Sequence, residues 1–188
     1  MIDLAMHTMD IIQNSIRAGA DILTLKFAEN TKTHELIFML EDNGSGMDEQ
    51  MLENSQNPFY TSRTTRKVGL GIPMLKMTAE QSCGWFRLQS EPGKGTIVKA
   101  MYRTDNIDCL PLGDMPAYLS LVLAANPDIS IDFTYSLNEH VFSFTTDELK
   151  EAGITDYASP AMRETIKEFI KENLEDLFQH RNKSSYLC

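Results

Sequence analysis

The 188 residues lack the marks of a membrane protein or a disulfide scaffold. No apolar run approaches the roughly 18 residues a membrane span needs. No basic stretch leads into an apolar one at the N-terminus, so no secretory leader is expected. Cysteine is scarce: Cys83, Cys109 and Cys188 are an odd number with no C-x-x-C spacing. That excludes a zinc ribbon and reads as reduced thiols in a reducing compartment, so a cytoplasmic protein is expected. Internal repeats and low-complexity tracts are absent.

Cations are also scarce, but only in one half. From residue 105 onward six Lys and Arg face fifteen Asp and Glu, and this half carries almost all of the net charge of −10. Nucleic acid and anionic membrane are therefore poor partners for it. The shift near Arg103-Thr104-Asp105 predicts two units, residues 1–104 and a small acidic α/β unit at 105–188.

What is present centres on Asp42-Asn43-Gly44-Ser45-Gly46-Met47. It follows Leu36 to Leu40, an apolar run that reads as a buried strand. A carboxylate at the end of such a strand is costly unless it has donors to accept from. Two glycines after it let the backbone turn and let a flat group approach. A polar hairpin turn is the plainer reading of the same residues. An acceptor-only side chain in an apolar pocket suits an exocyclic amine such as that of adenine.

Before it, residues 2–18 read as an amphipathic helix. Ala5, Met9, Ile12 and Ile16 make one apolar face, and His7, Asp10, Asn14 and Arg17 make a polar stripe. His7 is expected on the surface, with Gly19 ending the helix. Strands are expected over 22–28 and 36–41, then one or two helical turns over Asp48–Gln56. Residues 57–71 are irregular, with Arg63, Arg66 and Lys67 ahead of Gly69-Leu70-Gly71 and a helix from there to Glu80. A glycine loop running into a helix N-terminus is an anion site; a solvated surface loop is the alternative. Strands over 85–90 and 96–103 flank Glu91-Pro92-Gly93-Lys94-Gly95, a turn sequence.

Beyond residue 105, a linker over 109–116 leads to a helix over Ala117–Ala125. Strands over 129–135 and 140–146 form a hairpin. A helix over 160–179 opens at Ser159-Pro160 and carries an apolar stripe from Met162 to Leu177. The element order predicts an antiparallel-rich mixed sheet with helices on one face, an α+β fold.

Four of these stretches, in order, resemble the boxes of the GHKL superfamily of ATP-binding domains, shared by gyrase B subunits, histidine kinases, mismatch-repair ATPases and a heat-shock chaperone. Asp10-Ile11-Ile12-Gln13-Asn14-Ser15 resembles the N box, and Asp42-Asn43-Gly44-Ser45-Gly46 the D-x-G-x-G box. Val68-Gly69-Leu70-Gly71 resembles the second glycine box, and Glu91 to Thr96 the G-x-G-T box. Pro58 to Arg63 with Gly69 to Gly71 looks most like nitrogen-regulation-type sensor kinases, and Asn14 to Ala20 more like the mismatch-repair branch.

The resemblance covers roughly residues 5–103 and implies a Bergerat-type two-layer α/β sandwich. It implies that Asn14 gives an amide oxygen to Mg²⁺, with Arg17 beside the nucleotide. Asp42 accepts from the adenine amino group, and Thr96 supports that contact through water. Gly44 and Gly46 clear space for the base, and Met47 packs on it. Gly69, Leu70 and Gly71 offer N–H groups to the phosphates of ATP, and Arg63, Arg66 and Lys67 form a lid. Asp10 stands where the family usually has Glu, as the group that activates water or the attacking group. It is one methylene shorter, which predicts retained Mg-ATP binding and slow hydrolysis.

Only nine residues precede Asp10. The expectation is a chain without the phosphoacceptor-His hairpin of a complete sensor kinase: a stand-alone ATPase or protein kinase in bacterial signalling. The alternative is a non-catalytic, ATP-responsive module resembling anti-sigma-factor kinases. Either implies a protein partner or phosphoacceptor, with a homodimer possible, and neither nucleic acid nor membrane.

Overall fold

The computed structural model describes residues 3–57 and 70–181. Chain order is α1 (Leu4–Arg17), β1 (Ile22–Asn30), β2 (Glu35–Asp42), α2 (Glu49–Ser55), α3 (Gly71–Gln81), β3 (Trp85–Glu91), β4 (Gly95–Arg103), α4 (Met115–Ala125), β5 (Ser130–Leu137), β6 (His140–Thr145), α5 (Thr146–Glu151) and α6 (Pro160–Phe178). The strands form one six-stranded sheet in the order β3-β4-β2-β1-β5-β6. All neighbours are antiparallel except β1 and β5, whose parallel pairing makes the sheet mixed. This is the expected α+β architecture, consistent with the Bergerat sandwich.

Local chemistry explains the element ends. The Asp3 carboxylate caps α1 by accepting from the Met6 N–H at 2.8 Å. Arg17 in the last turn suits the negative end of the helix dipole, and Gly19, at φ +78°, turns the chain out of it. Thr145 and Glu148 form a reciprocal capping box that starts α5, a helix the apolar pattern did not foretell. Ser159 occupies the N-cap of α6, but its side chain makes no capping bond.

Strand alternation puts one face of the sheet inside. Leu25 and Phe27 of β1 stand opposite Leu40 and Phe38 of β2, with Leu23 opposite Asp42, and Leu36, Phe38 and Leu40 stand opposite Tyr102, Ala100 and Val98 of β4. Ile131, Phe133 and Tyr135 of β5 continue the same layer. α1, α3, α4 and α6 cover it, the buried residues of α6 being Ile166, Ile170, Leu174 and Leu177. Phe27 bridges the composition boundary, lying 5.4 Å from Phe38 and 5.5 Å from Tyr135 between ring centroids. Residues after 105 thus join the same sheet and the same core as those before it.

Glu29, wholly buried on β1, is held by Tyr135 Oη at 2.8 Å and by Arg181 Nη2 at 2.7 Å, both on Oε2. The Arg181 guanidinium also lies 3.9 Å over the Phe178 ring, locking the end of α6 onto the sheet. No helix among the described residues is long and apolar enough to cross a membrane.

Candidate functional site

A cavity of about 300 Å³ opens between α1, the loop after β2, α2, the start of α3 and the start of β4. Its walls include Ile11, Asn14, Ser15, Arg17 and Ala18 from α1, Met51 and Ser55 from α2, and Ile72 and Pro73 from α3. Asp42, Ser45, Gly46, Met47, Gly71, Thr96 and Val98 complete it. The lining is mostly apolar with a few convergent polar groups, the usual make-up of a small-molecule site.

Asp42 is the buried polar centre of this cavity, 7% exposed. Its Oδ1 accepts from the N–H of Gly44 at 2.9 Å and of Thr96 at 3.2 Å. Its Oδ2 accepts from the Ser15 hydroxyl at 2.6 Å. The carboxylate is therefore fixed before any ligand arrives, with acceptor capacity left on Oδ2. Ser90 Oγ donates to the Gly95 carbonyl at 2.9 Å. The Thr96 hydroxyl, 2.9 Å away, then donates to Ser90 and keeps its lone pairs as acceptors.

Two glycines allow the backbone to close around this carboxylate. Gly46 has φ +65°, and a Cβ there would lie 2.0 Å from the Glu91 carbonyl oxygen. Gly95 has φ +101°, and its Cβ would lie 1.9 Å from the Asp42 carbonyl oxygen. Asn43 faces the other way: its Oδ1 accepts from the N–H groups of Asp21 and Ile22, both at 3.0 Å, which ties the loop to β1.

At the other end, Asn14 Oδ1 accepts from Arg17 Nη1 at 3.0 Å. Asp10 lies one helical turn before Asn14, half-buried. The N-terminus of α3 abuts both. A Cβ on Gly71 would sit 3.3 Å from the Asp10 Cβ and 3.4 Å from Asn14 Nδ2. Leu70, the exposed N-cap, makes no side-chain capping bond to the first turn of α3, whose N–H groups point out of the helix start.

Of the residues singled out in the sequence, Asn14, Arg17, Asp42, Gly46, Met47, Gly71 and Thr96 line the cavity. Gly44 serves it through its N–H, and Asp10 stands beside Gly71 rather than in the wall. Arg63, Arg66, Lys67 and Gly69 lie outside the described residues. His7 differs from its expected surface position: it is fully buried, and neither ring nitrogen has a partner. α3 and α4 both pack on α1. The polar stripe is therefore open at Asn14 and closed at His7. Sequence reading missed Ser15, although it adjoins Asn14, and Ser90, which had no motif to mark it.

Among the described residues no group of three or more His, Cys, Asp and Glu is placed to hold a metal. That suits Mg²⁺, which takes few protein oxygens and keeps water or phosphate for the rest. The Asn14 amide oxygen would hold it. The satisfied Asp42 carboxylate, the glycine clearances and the α3 N-terminus fit a base at one end and phosphates at the other.

Residues 3–105 match the model of the family described as histidine kinase-, DNA gyrase B- and HSP90-like ATPase, which is more than half of the chain. The chain belongs to that family. Its histidine-kinase-like ATPase domain is similar to Sporulation kinase C of Bacillus subtilis, 30% identical over 95 residues, which are 50% of this chain and 22% of that protein. Sensor protein kinase FleS of Pseudomonas aeruginosa is 35% identical over 88 residues, 47% of this chain and 22% of FleS. Sensor kinase CckA of Brucella abortus is 33% identical over 82 residues, 43% of this chain and 9% of CckA. The chain thus spans less than a quarter of these relatives.

Among solved structures, the crystal structure of the N-terminal domain of a DNA repair protein superposes with a TM-score of 0.52. It is 14% identical and covers 77% of this chain and 52% of that one, a likeness of fold.

Proposed function

We propose that this histidine-kinase-like ATPase domain binds Mg-ATP in the cavity beside Asp42. The reading rests on one observation: a buried carboxylate held by Ser15, Gly44 and Thr96, with an acceptor still available at the floor of an apolar cleft. Asp42 accepts from the adenine amino group, and Gly46 and Met47 lie against the base. Asn14 and Arg17 face the phosphates and the metal, with the N–H groups of Gly71 and its neighbours opposite. Bound Mg²⁺ supplies charge neutralisation at the terminal phosphate. Residues 1–104 carry the nucleotide, while residues 105–188 brace the sheet.

The activity we infer is slow ATP hydrolysis or phosphoryl transfer to a separate protein in bacterial signalling, in the cytoplasm. Asp10 takes the proton from the attacking water or acceptor group. The second reading, an ATP-responsive regulatory module without turnover, is favoured by the short Asp10 side chain and its place outside the cavity wall. Calorimetric titration with Mg-ATP up to about millimolar tests the binding. A flat trace with an unmoved melting temperature rejects both readings. Binding without turnover in the presence of candidate partners leaves only the second.

A further inference from the structure

The helices cover one face of the sheet; the register describes what lies on the other. One row across β3, β4, β2 and β1 is Trp85–Met101–Ile37–Ala28. The next row, two residues along each strand, is Arg87–Lys99–Met39–Lys26. Apart from Met101, these side chains are half-buried or exposed, as on a sheet face that no described helix covers. The apolar row continues through Ser136 to Val141, which is 62% exposed on the edge strand β6.

A solvated antiparallel face normally alternates to polar residues. Here an apolar row runs beside a basic one. Arg87, Lys99 and Lys26 form no ion pair with a carboxylate among the described residues. Three cations without carboxylate partners in one row, interrupted only by Met39, are unusual in a chain of net charge −10. The Arg87 guanidinium lies 4.9 Å over the Trp85 ring, which holds its charge on this face and joins the two rows.

We propose that this uncovered face docks an acidic amphipathic helix of a separate protein. The helix lays its apolar stripe on Trp85 and Ile37, with the buried Met101 between them, and its carboxylates on Arg87, Lys99 and Lys26. Neighbouring strands are about 4.8 Å apart, and residues one helical turn apart are separated by about 5–6 Å, so the two repeats keep pace over four strands. The face also discriminates among anions. The row beyond the cations carries Glu41 and Asp132, which repel a polyanion running along the basic row. A helix with a single acidic stripe avoids them. Overall negative charge opposes long-range attraction, but the contact acts within a Debye length of about 8–10 Å.

The test is an NMR titration of the full chain with a synthetic Leu/Glu amphipathic peptide of about 18 residues, long enough to cross four strands. The same peptide with Lys for Glu and a single-stranded oligonucleotide serve as comparisons. The acidic peptide is expected to bind at micromolar to sub-millimolar concentration, shifting the Trp85 indole and the Met39 and Met101 methyls. Lys26→Glu with Lys99→Glu should weaken it about ten-fold or more, leave the melting temperature unchanged, and let the Lys peptide bind instead. No binding by about 1 mM, equal binding of both peptides, preference for the oligonucleotide, or shifts confined to other surfaces would each overturn the proposal.

Discussion

The Ser15 hydroxyl, on α1, donates to Oδ2 of Asp42, at the end of β2, across 2.6 Å in the buried floor of the cavity. Ser15 is also 3.3 Å from the Ile11 carbonyl, but it has one proton, and the charge-assisted bond to the carboxylate is the shorter and stronger. This contact joins the helix that carries Asn14 to the residue proposed to read adenine. Ser15→Ala should weaken Mg-ATP by about ten-fold, from loss of roughly 1–2 kcal/mol. Asp42→Asn should cost more and act on adenine nucleotides in particular. Calorimetry with ATP and GTP on both variants checks the pair; an unchanged ATP affinity in Asp42→Asn removes the adenine assignment.

Asp10 offers a second prediction with a direction. Its side chain is a methylene shorter than the family's usual Glu, and a displacement of about 1 Å at a reacting group can cost on the order of 100-fold. Asp10→Glu should therefore raise ATP turnover at nearly constant nucleotide affinity, and Asp10→Asn should abolish turnover while binding persists. Phosphate-release assays alongside calorimetry decide it. If Asp10→Asn hydrolyses ATP like the wild type, Asp10 has no part in the chemistry.

Two glycine substitutions should behave differently for a geometric reason. Gly46→Ala places a Cβ 2.0 Å from a backbone carbonyl at positive φ, so the loop must move or the protein must lose stability. Gly71→Ala meets the Asp10 Cβ at 3.3 Å, a contact a small shift relieves. The expected result is a melting temperature lowered by several degrees for Gly46→Ala, a loss of ~1–3 kcal/mol. Gly71→Ala should melt near the wild type with weakened Mg-dependent ATP binding. Equal melting temperatures for all three proteins would contradict this account.

Sequence legibility followed the local nature of the signals. Asp42, Gly44 and Gly46 were readable because strand, carboxylate and turn glycines are consecutive, and α1 and its stripe because helical periodicity is strong there. Pairing between distant segments leaves no local mark. Nothing near Ile131 or Phe133 announces a parallel partner in β1, so the stretch after 105 looked like a separate unit. Burial of His7 depends on which helices arrive over its face, and α4 lies more than a hundred residues downstream. Ser90 is an ordinary strand serine until the register sets it beside Thr96.

The Glu29–Arg181 pair shows what the late residues do for the early ones. Glu29 Oε2 gathers Tyr135 and Arg181, while Oε1 has no partner. Burial first, then the Glu29 carboxylate, drive the Tyr135 hydroxyl pKa up, so it stays a donor. Arg181→Met would leave a fully buried charge short of its cation, a loss on the order of 3–5 kcal/mol. The double variant Arg181→Met with Glu29→Gln should recover much of it. Urea melts of the four proteins give the cycle; additive losses would mean the pair is not coupled.

His7 sets a pH window. Burial above all, with a smaller push from the N-terminal charge and opposition from Asp3, depresses its pKa from 6.5 to about 4. A folded chain that holds the imidazole neutral binds fewer protons than the unfolded chain between those two values. Stability therefore rises with pH across the window: it is complete above about 6.5 and is lost as pH falls toward 4. At 1.36 kcal/mol per unit, the full effect is at most about 3–4 kcal/mol. Urea melts of wild type and His7→Leu at pH 7.5 and pH 5 isolate it, because other titrating groups are common to both proteins. The wild type should lose more stability than His7→Leu on acidification. The same loss in both would mean the imidazole titrates alike whether the chain is folded or not, a result its sealed, partnerless position between the helices does not allow.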